Sequence, residues 1–518
     1  MKQIVAPIEI TAIEITAKTR RWVGMLVSAS SLSLFLLATP ALAGGLTVVS
    51  VEPARHSLAA AQDAAISVTF DVPVDPAAVG AASFWAFARW SGAVSGSYAF
   101  SNGNRTVSLV PDRPFSAGES VMVILSHDLA AAGGGTLRDA GYSFQFWVRA
   151  KPAGLTFTEI ATMSTASPSR PYGGIGSDLD GDGYLDITTV NEDTSDLRVF
   201  MNAGDGSGTF GDFLQPTFPS GTVPSPSEPS DFNRDGHVDI VVASTQAATA
   251  AVLLGNGDGT FGAQQVMAVD GNARGIAVLD VDGDGDVDFV TASPSTSSLT
   301  LLFNNGSGVF GSPTSFGSGN GGEWALGAAD MNDDGILDLV AGGRSSGRLF
   351  VYLGNGDGTF NLDGDYPSGG AVWMLVLGDL NGDGNEDVAV GNGTSDNGAV
   401  LLGDGAGGLG APQIHAVDPI ALASDIGDLD GDGDLDWMLA SFNGDWTLLS
   451  NDGSGNFIFE REIDAPAAAS CSLMMDIDND GDLDLTLIDE IADEVLILRN
   501  DGTIFSDAFE SGDLSGWS

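Results

Sequence analysis

The chain reads as all-β: a seven-bladed β-propeller preceded by a small β-sandwich. Three observations predict this. A nine-residue pattern, D-x-[DN]-x-D-G-x-x-D, occurs seven times, with successive starts 53, 49, 50, 49, 49 and 48 residues apart. Each unit holds short apolar runs of strand length between Gly- and Asp-rich turns, without a helical period. A strand-like segment at 154–164 precedes the first Asp loop, while the last unit stops at Asn500-Asp-Gly-Thr-Ile-Phe505, where a fourth strand is due. Four strands in a unit of roughly 50 residues make a propeller blade.

Residues 1–43 are expected to be a signal peptide. Lys18, Arg20 and Arg21 precede an apolar run from Trp22 to Leu37, and Thr39-Pro40-Ala41-Leu42-Ala43 offers small residues before a cut after Ala43. The run falls short of the ~20 apolar residues of a bilayer span. General secretion fits better than twin-arginine export, since only Arg20-Arg21 of that motif is present. The mature chain is thus expected to carry no membrane span and to be secreted or held at the cell surface.

Residues 44–150 contain strand-like runs at Leu46–Val51, Ala65–Phe70, Phe84–Arg89, Thr106–Val110, Ser120–Leu125 and Tyr142–Val148. Turn residues separate them, as in an antiparallel sandwich. Residues 151–506 are the repeat array. In each unit a strand ends at the Asp loop, an apolar strand such as Ile240-Val-Val-Ala follows, then a third such as Leu349-Phe-Val-Tyr-Leu353, then a Gly-rich turn and a variable fourth. The segment 154–164 is expected to supply the seventh blade's fourth strand and close the ring, leaving no open sheet edge. Residues 507–518 form a tail outside the repeat.

Charge excludes some partners. The chain has 70 Asp and Glu against 19 Lys and Arg, a formal net charge of -51, which argues against nucleic acid and anionic membranes. With 43% hydrophobic residues it can still form a core. The single cysteine, Cys471, allows no intrachain disulfide and reads as a small buried hydrophobe.

The Asp loops explain part of the acidity. Oxygen-rich tight loops suit Ca²⁺, which takes 6–8 hard ligands. Positions 1, 3, 5 and 9 offer side chains: Asp178, Asp180, Asp182 and Asp186; Asp231, Asn233, Asp235 and Asp239; Asp280, Asp282, Asp284 and Asp288; Asp330, Asn332, Asp334 and Asp338. The last three loops offer Asp379, Asn381, Asp383 and Asp387; Asp428, Asp430, Asp432 and Asp436; Asp476, Asp478, Asp480 and Asp484. Position 6 is always Gly, as a sharp turn requires. Position 7 varies freely (Tyr184, His237, Asp286, Ile336, Asn385, Asp434, Asp482), as a backbone-carbonyl ligand allows. Up to seven Ca²⁺ are expected; Mg²⁺ keeps its waters and Zn²⁺ prefers His and Cys. Without flanking helices or a Glu at position 12, these are not EF-hands.

The seven units resemble FG-GAP/VCBS repeats, the family of integrin α-chain propellers and many secreted bacterial proteins. The resemblance spans residues 154–506. Its Phe-Gly element stands at Phe210-Gly211, Phe261-Gly262 and Phe310-Gly311 and decays to Phe360-Asn361, Leu409-Gly410 and Phe457-Ile458. The segments Ile66-Ser-Val-Thr-Phe-Asp-Val-Pro-Val-Asp75, Leu109-Val-Pro-Asp-Arg-Pro-Phe115 and Tyr142-Ser-Phe-Gln-Phe146 resemble the bacterial immunoglobulin-like domain of S-layer proteins. That resemblance implies a spacer or adhesion module.

Strands alternate in direction, so the calcium loops and the Gly-rich turns share one face of the ring. Ligand recognition is expected on the other, with Arg170, Tyr172, Glu228, Arg274, Trp324 and Trp373 as candidates. The alternative packs several of these against the channel wall. Gly343-Arg-Ser-Ser-Gly347 fits the G-x-S-x-G pattern but lies between two strands, not at a strand-to-helix elbow. The histidines, His56, His127, His237 and His415, build no triad or zinc site. The reading is a monomeric, non-catalytic, calcium-binding module for an extracellular protein or glycan. A polysaccharide-active enzyme and a purely structural surface protein are the alternatives.

Overall fold

In a computed structural model of the chain, residues 45–317 and 321–501 are described; the expected signal peptide and the 507–518 tail lie outside them. The described residues form β-strands and one 3-10 turn, Pro76–Ala78, with no α-helix. No helix among them is long and apolar enough to cross a membrane.

Seven antiparallel four-stranded sheets follow the sandwich. The first is built from Pro171–Ser177, Asp186–Asn191, Asp196–Phe200 and Phe218–Pro219, side by side in chain order. The innermost strands of the others are Pro224–Ser230, Gly275–Leu279, Glu323–Ala329, Val372–Gly378, Ala421–Gly427 and Ala469–Met475. Each contacts the next, and the last touches the first, so the sheets close a ring. The seventh sheet takes its fourth strand from the front of the array: Glu494 pairs with Ser164 and Asn500 with Phe157. Every second strand is buried along its whole length, as in Asp239–Ser244 and Asp288–Ser293. These strands read as mainly apolar runs without in–out alternation because neighbouring blades cover both their faces.

The sandwich packs one sheet, containing Val48–Glu52, Ile66–Phe70, Thr106–Pro111 and Gly96–Ser101, on a second. The second holds Gly92–Ala93, Phe84–Ala88, Ser120–Leu125 and Tyr142–Trp147. Two strands were not expected. Gly96–Ser101 alternates between exposed and half-buried positions on an edge, and Gly92–Ala93 is only two residues long. Gly96–Ser101 turns only Tyr98 and Phe100 toward the core, and Gly92–Ala93 is too short to show a pattern.

The second sheet is buried on both faces. Phe84, Ala86, Val121 and Val123 fill the sandwich core. Their alternates, Trp85, Phe87, Met122 and Ile124, join a cluster of propeller residues, and Trp90 and Trp147 join two more. The sandwich is therefore docked on the ring and not a free-standing spacer.

Candidate metal centre and central channel

Each innermost strand ends one residue before an Asp loop, and each loop's ninth residue opens the second strand. All seven loops thus sit at one end of the ring. The position-6 glycine has φ between +76° and +104° in every copy, a left-handed turn that a side chain would strain.

The first Asp of a loop accepts hydrogen bonds from the loop's own backbone. In the third loop Asp280 accepts Gly283 N–H at 2.8 Å and Gly285 N–H at 2.9 Å. The fifth-position Asp accepts the N–H at position 7 in all seven copies, for example Tyr184 to Asp182 at 2.8 Å. The ninth Asp has a structural job that sequence reasoning missed. One oxygen accepts the N–H at position 2, and the other accepts an N–H at the end of the third strand. In the seventh loop these bonds run from Ile477 and Asn500 to Asp484, at 3.1 and 2.8 Å.

The loops are also latched to the next blade. Asn304 Nδ2 donates to Phe232 O at 2.7 Å and Asn451 Nδ2 to Leu380 O at 2.8 Å. Gly259, Gly308, Gly358 and Gly407 donate from Gly-rich turns to carbonyls of neighbouring loops. The turns and loops therefore share one face, as expected.

Four loops bring carboxylate oxygens within 4.8 Å of one another: Asp178, Asp180 and Asp182; Asp280, Asp282 and Asp288; Asp428, Asp430 and Asp432; Asp476, Asp478 and Asp484. Burial, and then the charges of Asp284 and Asp282, push Asp280 up to about 7. Burial, and then Asp480, Asp478 and Asp482, push Asp476 up to about 8. Asp282 Oδ1, Asp428 Oδ2 and Asp476 Oδ1 are buried and accept no hydrogen bond. Clustered, buried and unsatisfied carboxylates fit a hard divalent cation. Asp434 and Asp482, at position 7, also carry buried oxygens without donors, which adds side-chain oxygen where a carbonyl alone was expected.

The three Asn loops satisfy their acids differently. Asn233 Nδ2 donates to Asp235 at 2.9 Å and Asn381 Nδ2 to Asp383 at 3.1 Å. In the Asn332 loop the sandwich's Arg55 lies 3.6 Å from Asp330.

The sandwich seals the Asp-loop end through the loops themselves. Trp85 Nε1 donates to Gly285 O at 2.9 Å, His127 N to Gly283 O at 2.7 Å and Ser143 N to Gly335 O at 2.9 Å. Arg113 reaches Asp178 at 3.1 Å. His56 lies 2.6 Å from Glu386 and 3.3 Å from Asp333. Burial opposes its protonation, but the bond to Glu386 and the acids around it raise it to about 9. None of these contacts was read from the sequence, although the unbroken apolar run Phe84-Trp-Ala-Phe-Ala88 is the mark of a strand covered on both faces.

Inside the ring, cavities of about 230 and 110 Å³ follow the channel. Arg89 of the sandwich enters the channel, stacks on Trp90 with its guanidinium carbon 4.1 Å from the ring centre, and pairs with Asp425 at 2.8 Å. Burial raises Glu228 to about 7, with Arg89 opposing and Asp425 adding. At the other end, Trp324 and Trp373 lie 5.2 Å apart. Arg274 stacks on Trp324 at 4.6 Å, and Arg344 on Trp324 and Trp373 at 4.2 and 4.3 Å.

Comparison with known proteins gives the affiliation. An FG-GAP-like repeat model matches five overlapping windows, at 231–291, 280–341, 330–390, 379–437 and 428–487. A bacterial Ig-like domain model matches residues 43–147. This is an FG-GAP-like repeat protein with a bacterial Ig-like domain. Among curated proteins none matches it. BBS1N, solved in complex with ARL6DN, is similar at 14% identity, 67% of this chain, 98% of that one and a TM-score of 0.49. A lectin from Agrocybe aegerita that recognises non-reducing terminal N-acetylglucosamine shares 19% identity over 77% of this chain and 94% of its own, with a TM-score of 0.39. The Neurospora crassa Pan2 WD40 domain shares 9% over 67% and 96%, with a TM-score of 0.47. The FG-GAP matches take in six of the seven Asp loops and leave out Asp178–Asp186.

The six candidate ligand residues divide within this architecture. Tyr172, Arg274, Trp324 and Trp373 line the channel end away from the Ig-like domain. Arg170 stands beside them but is engaged by Glu490, by Glu192 at 3.5 Å and by Asp193 at 3.9 Å. Glu228 lines the same cavity at its inner part, near Arg89, and the next cavity as well. Arg344, in the G-x-S-x-G hairpin between strands Asp338–Gly343 and Arg348–Gly354, belongs to the group and was missed.

Proposed function

We propose that the protein is an exported, calcium-stabilised binding module that recognises an extracellular ligand at the open mouth of its propeller channel. One observation carries this reading. The Ig-like domain and the Asp loops close one end of the channel, while Trp324, Trp373, Arg274 and Tyr172 line its other end. Aromatic side chains in a concave, partly polar wall suit ligand capture. Calcium in the Asp loops would supply positive charge to carboxylates that otherwise repel one another. The loops' own part is to hold their blades in register, through the position-9 Asp and the latches to the next blade. The apolar run before Ala43 supports export, to the medium or the cell surface.

A second reading, an enzyme acting on polysaccharides, has one observation in its favour. Glu228 is raised to about 7 inside the channel, the range of a general acid.

The test is a glycan and matrix-protein array probed in calcium with the full chain and with Trp373→Ala. Retention of a ligand by the wild type and its loss in the variant is the expected result. No ligand, or equal retention by both, overturns the reading. Release of cleaved product from a retained glycan decides for the enzyme.

A further inference from the structure

The channel mouth repeats, with opposite sign, the imbalance of the Asp loops. Arg274 and Arg344 both stack on Trp324, so two cations share one indole. Arg170 gathers the nearby acids, and among the described residues the only carboxylate within 4.0 Å of Arg274 is Glu192, at 3.9 Å. Among the described residues Arg344 has no carboxylate within 4.0 Å, although the chain as a whole carries -51. Burial, and then the charge of Arg274, lower its hold on its proton. The Arg344 guanidinium rests against both indoles, whose ring centres are 5.2 Å apart, and this contact fixes where its N–H fork is offered for two-point carboxylate recognition.

A second set of groups in the same cavity also lacks partners. Ser225, Ser424, Ser472 and Trp373 stand among its lining residues, and the three hydroxyls and the indole N–H are buried without a hydrogen bond. Their residues are 0%, 6% and 2% exposed for the three serines. Buried hydroxyls without partners are costly, and their number here suits a ligand rich in hydroxyl groups. The cavity reaches Arg89 and Trp90 and continues into the one lined by Phe87, Met122 and Trp147, where the Ig-like domain closes the channel. A blind cavity takes a chain terminus, not a chain passing through.

We infer that the mouth binds the terminal residue of an acidic saccharide, its carboxylate on Arg344 and Arg274 and its hydroxyls toward the unpartnered serines. This rests on the mouth being the binding site, and the experiment separates the two claims. Calorimetry in calcium is run on the full chain with three probes: an oligosaccharide ending in glucuronate, its glucose-ended counterpart, and a peptide with a free C-terminal carboxylate. The wild type is expected to bind the glucuronate-ended probe at least about tenfold tighter than the glucose-ended one, roughly the value of one charge-assisted bidentate contact. Arg344→Gln removes that preference, weakening the glucuronate-ended probe at least about tenfold more than the neutral one; Arg344→Lys restores part of it. Unchanged calcium content and Tm show that the variants are folded.

Equal affinity for the two sugars, or a preference that survives Arg344→Gln, overturns the acidic specificity while leaving the mouth as the site. Binding of both sugars untouched by Trp373→Ala overturns the mouth itself. Tighter binding of the peptide, or no binding of any probe, overturns the saccharide assignment.

Discussion

The four all-carboxylate loops and the three Asn loops share one backbone and differ in how their charge is settled. In the third, sixth and seventh loops, buried oxygens of Asp282, Asp428 and Asp476 have no donor. In the second and fifth, the Asn233 and Asn381 amides donate to the neighbouring Asp. In the fourth, Arg55 of the Ig-like domain approaches Asp330. The first loop lies between the two groups, since it has the carboxylate cluster but Asp178 is also met by Arg113. One amide or guanidinium can thus do inside the chain part of what a cation does from outside. The same repeat need not have the same appetite for metal at every turn of the ring.

Chelation should break this comparison most completely. Each loop occupied at one hundred times its Kd adds about 2.7 kcal/mol to the folded state. Removing calcium with EGTA is therefore expected to lower Tm by on the order of 10 °C or more. Calcium titration should resolve a tight class drawn from the four carboxylate loops and a weaker class from the Asn loops. A single class of seven equal sites, or an unchanged melt, would contradict the division.

Paired variants sharpen it next. Asp476→Ala should abolish one tight ion and cost about 2–3 kcal/mol in saturating calcium. Asp231→Ala, at the same position of an Asn loop, should cost about 1 kcal/mol, mainly for its hydrogen bonds to Asp235 and Gly236. Chemical denaturation in calcium checks the pair, and equal losses would count against unequal loops.

The pH response gives an effect of opposite sign with and without metal. Burial first, then neighbouring hydrogen bonds and acids, leave Asp239, Asp338, Asp436 and Asp484 at about 8 in the folded, metal-free chain. Unfolded Asp titrates near 3.9. The folded state then binds more protons than the unfolded one across this window, so its stability is full below pH ~4 and is lost as pH rises through about 8. In EGTA, Tm should fall from pH 5 to pH 8. In calcium it should rise over the same range, because protons compete with the ion. Slopes of the same sign would mean that the buried acids are not those that hold the metal.

The smallest effect is a gain. Asn233→Asp replaces the internal donor with a fourth carboxylate and should tighten that loop for calcium about tenfold, since ligand charge tunes such sites. An unchanged titration would show that backbone geometry and not charge sets the affinity.

Much of the ring was legible because repetition averages out noise. Position 9 is Asp in seven copies, and the strand at 154–164 could be recognised by the gap it fills after Asn500. Docking of the Ig-like domain was not legible in the same way, because it happens once. Arg55, His56, Arg89 and Arg113 are single residues whose partners lie far along the chain. The apolar run Phe84-Trp-Ala-Phe-Ala88 and its neighbour Val121-Met-Val-Ile-Leu125 signalled a sheet covered twice, but not what covers it. Arg344 was hidden by its motif, since Gly343-Arg-Ser-Ser-Gly347 draws the eye to its serine rather than to the arginine that the hairpin delivers to the mouth.

The borrowed strand of the last blade sets a timetable. The Thr156 backbone N–H donates to Asn500 Oδ1, 344 positions further along the chain. At a synthesis rate of roughly 5–20 residues per second, Phe157–Ser164 waits on the order of tens of seconds for its partner to leave the ribosome. Until then the ring has no clasp, and a product cut short before Glu494 can never be clasped. Closure of the ring is thereby deferred until Glu494–Asn500 has been made, so the first strand of the array is the last to find its place.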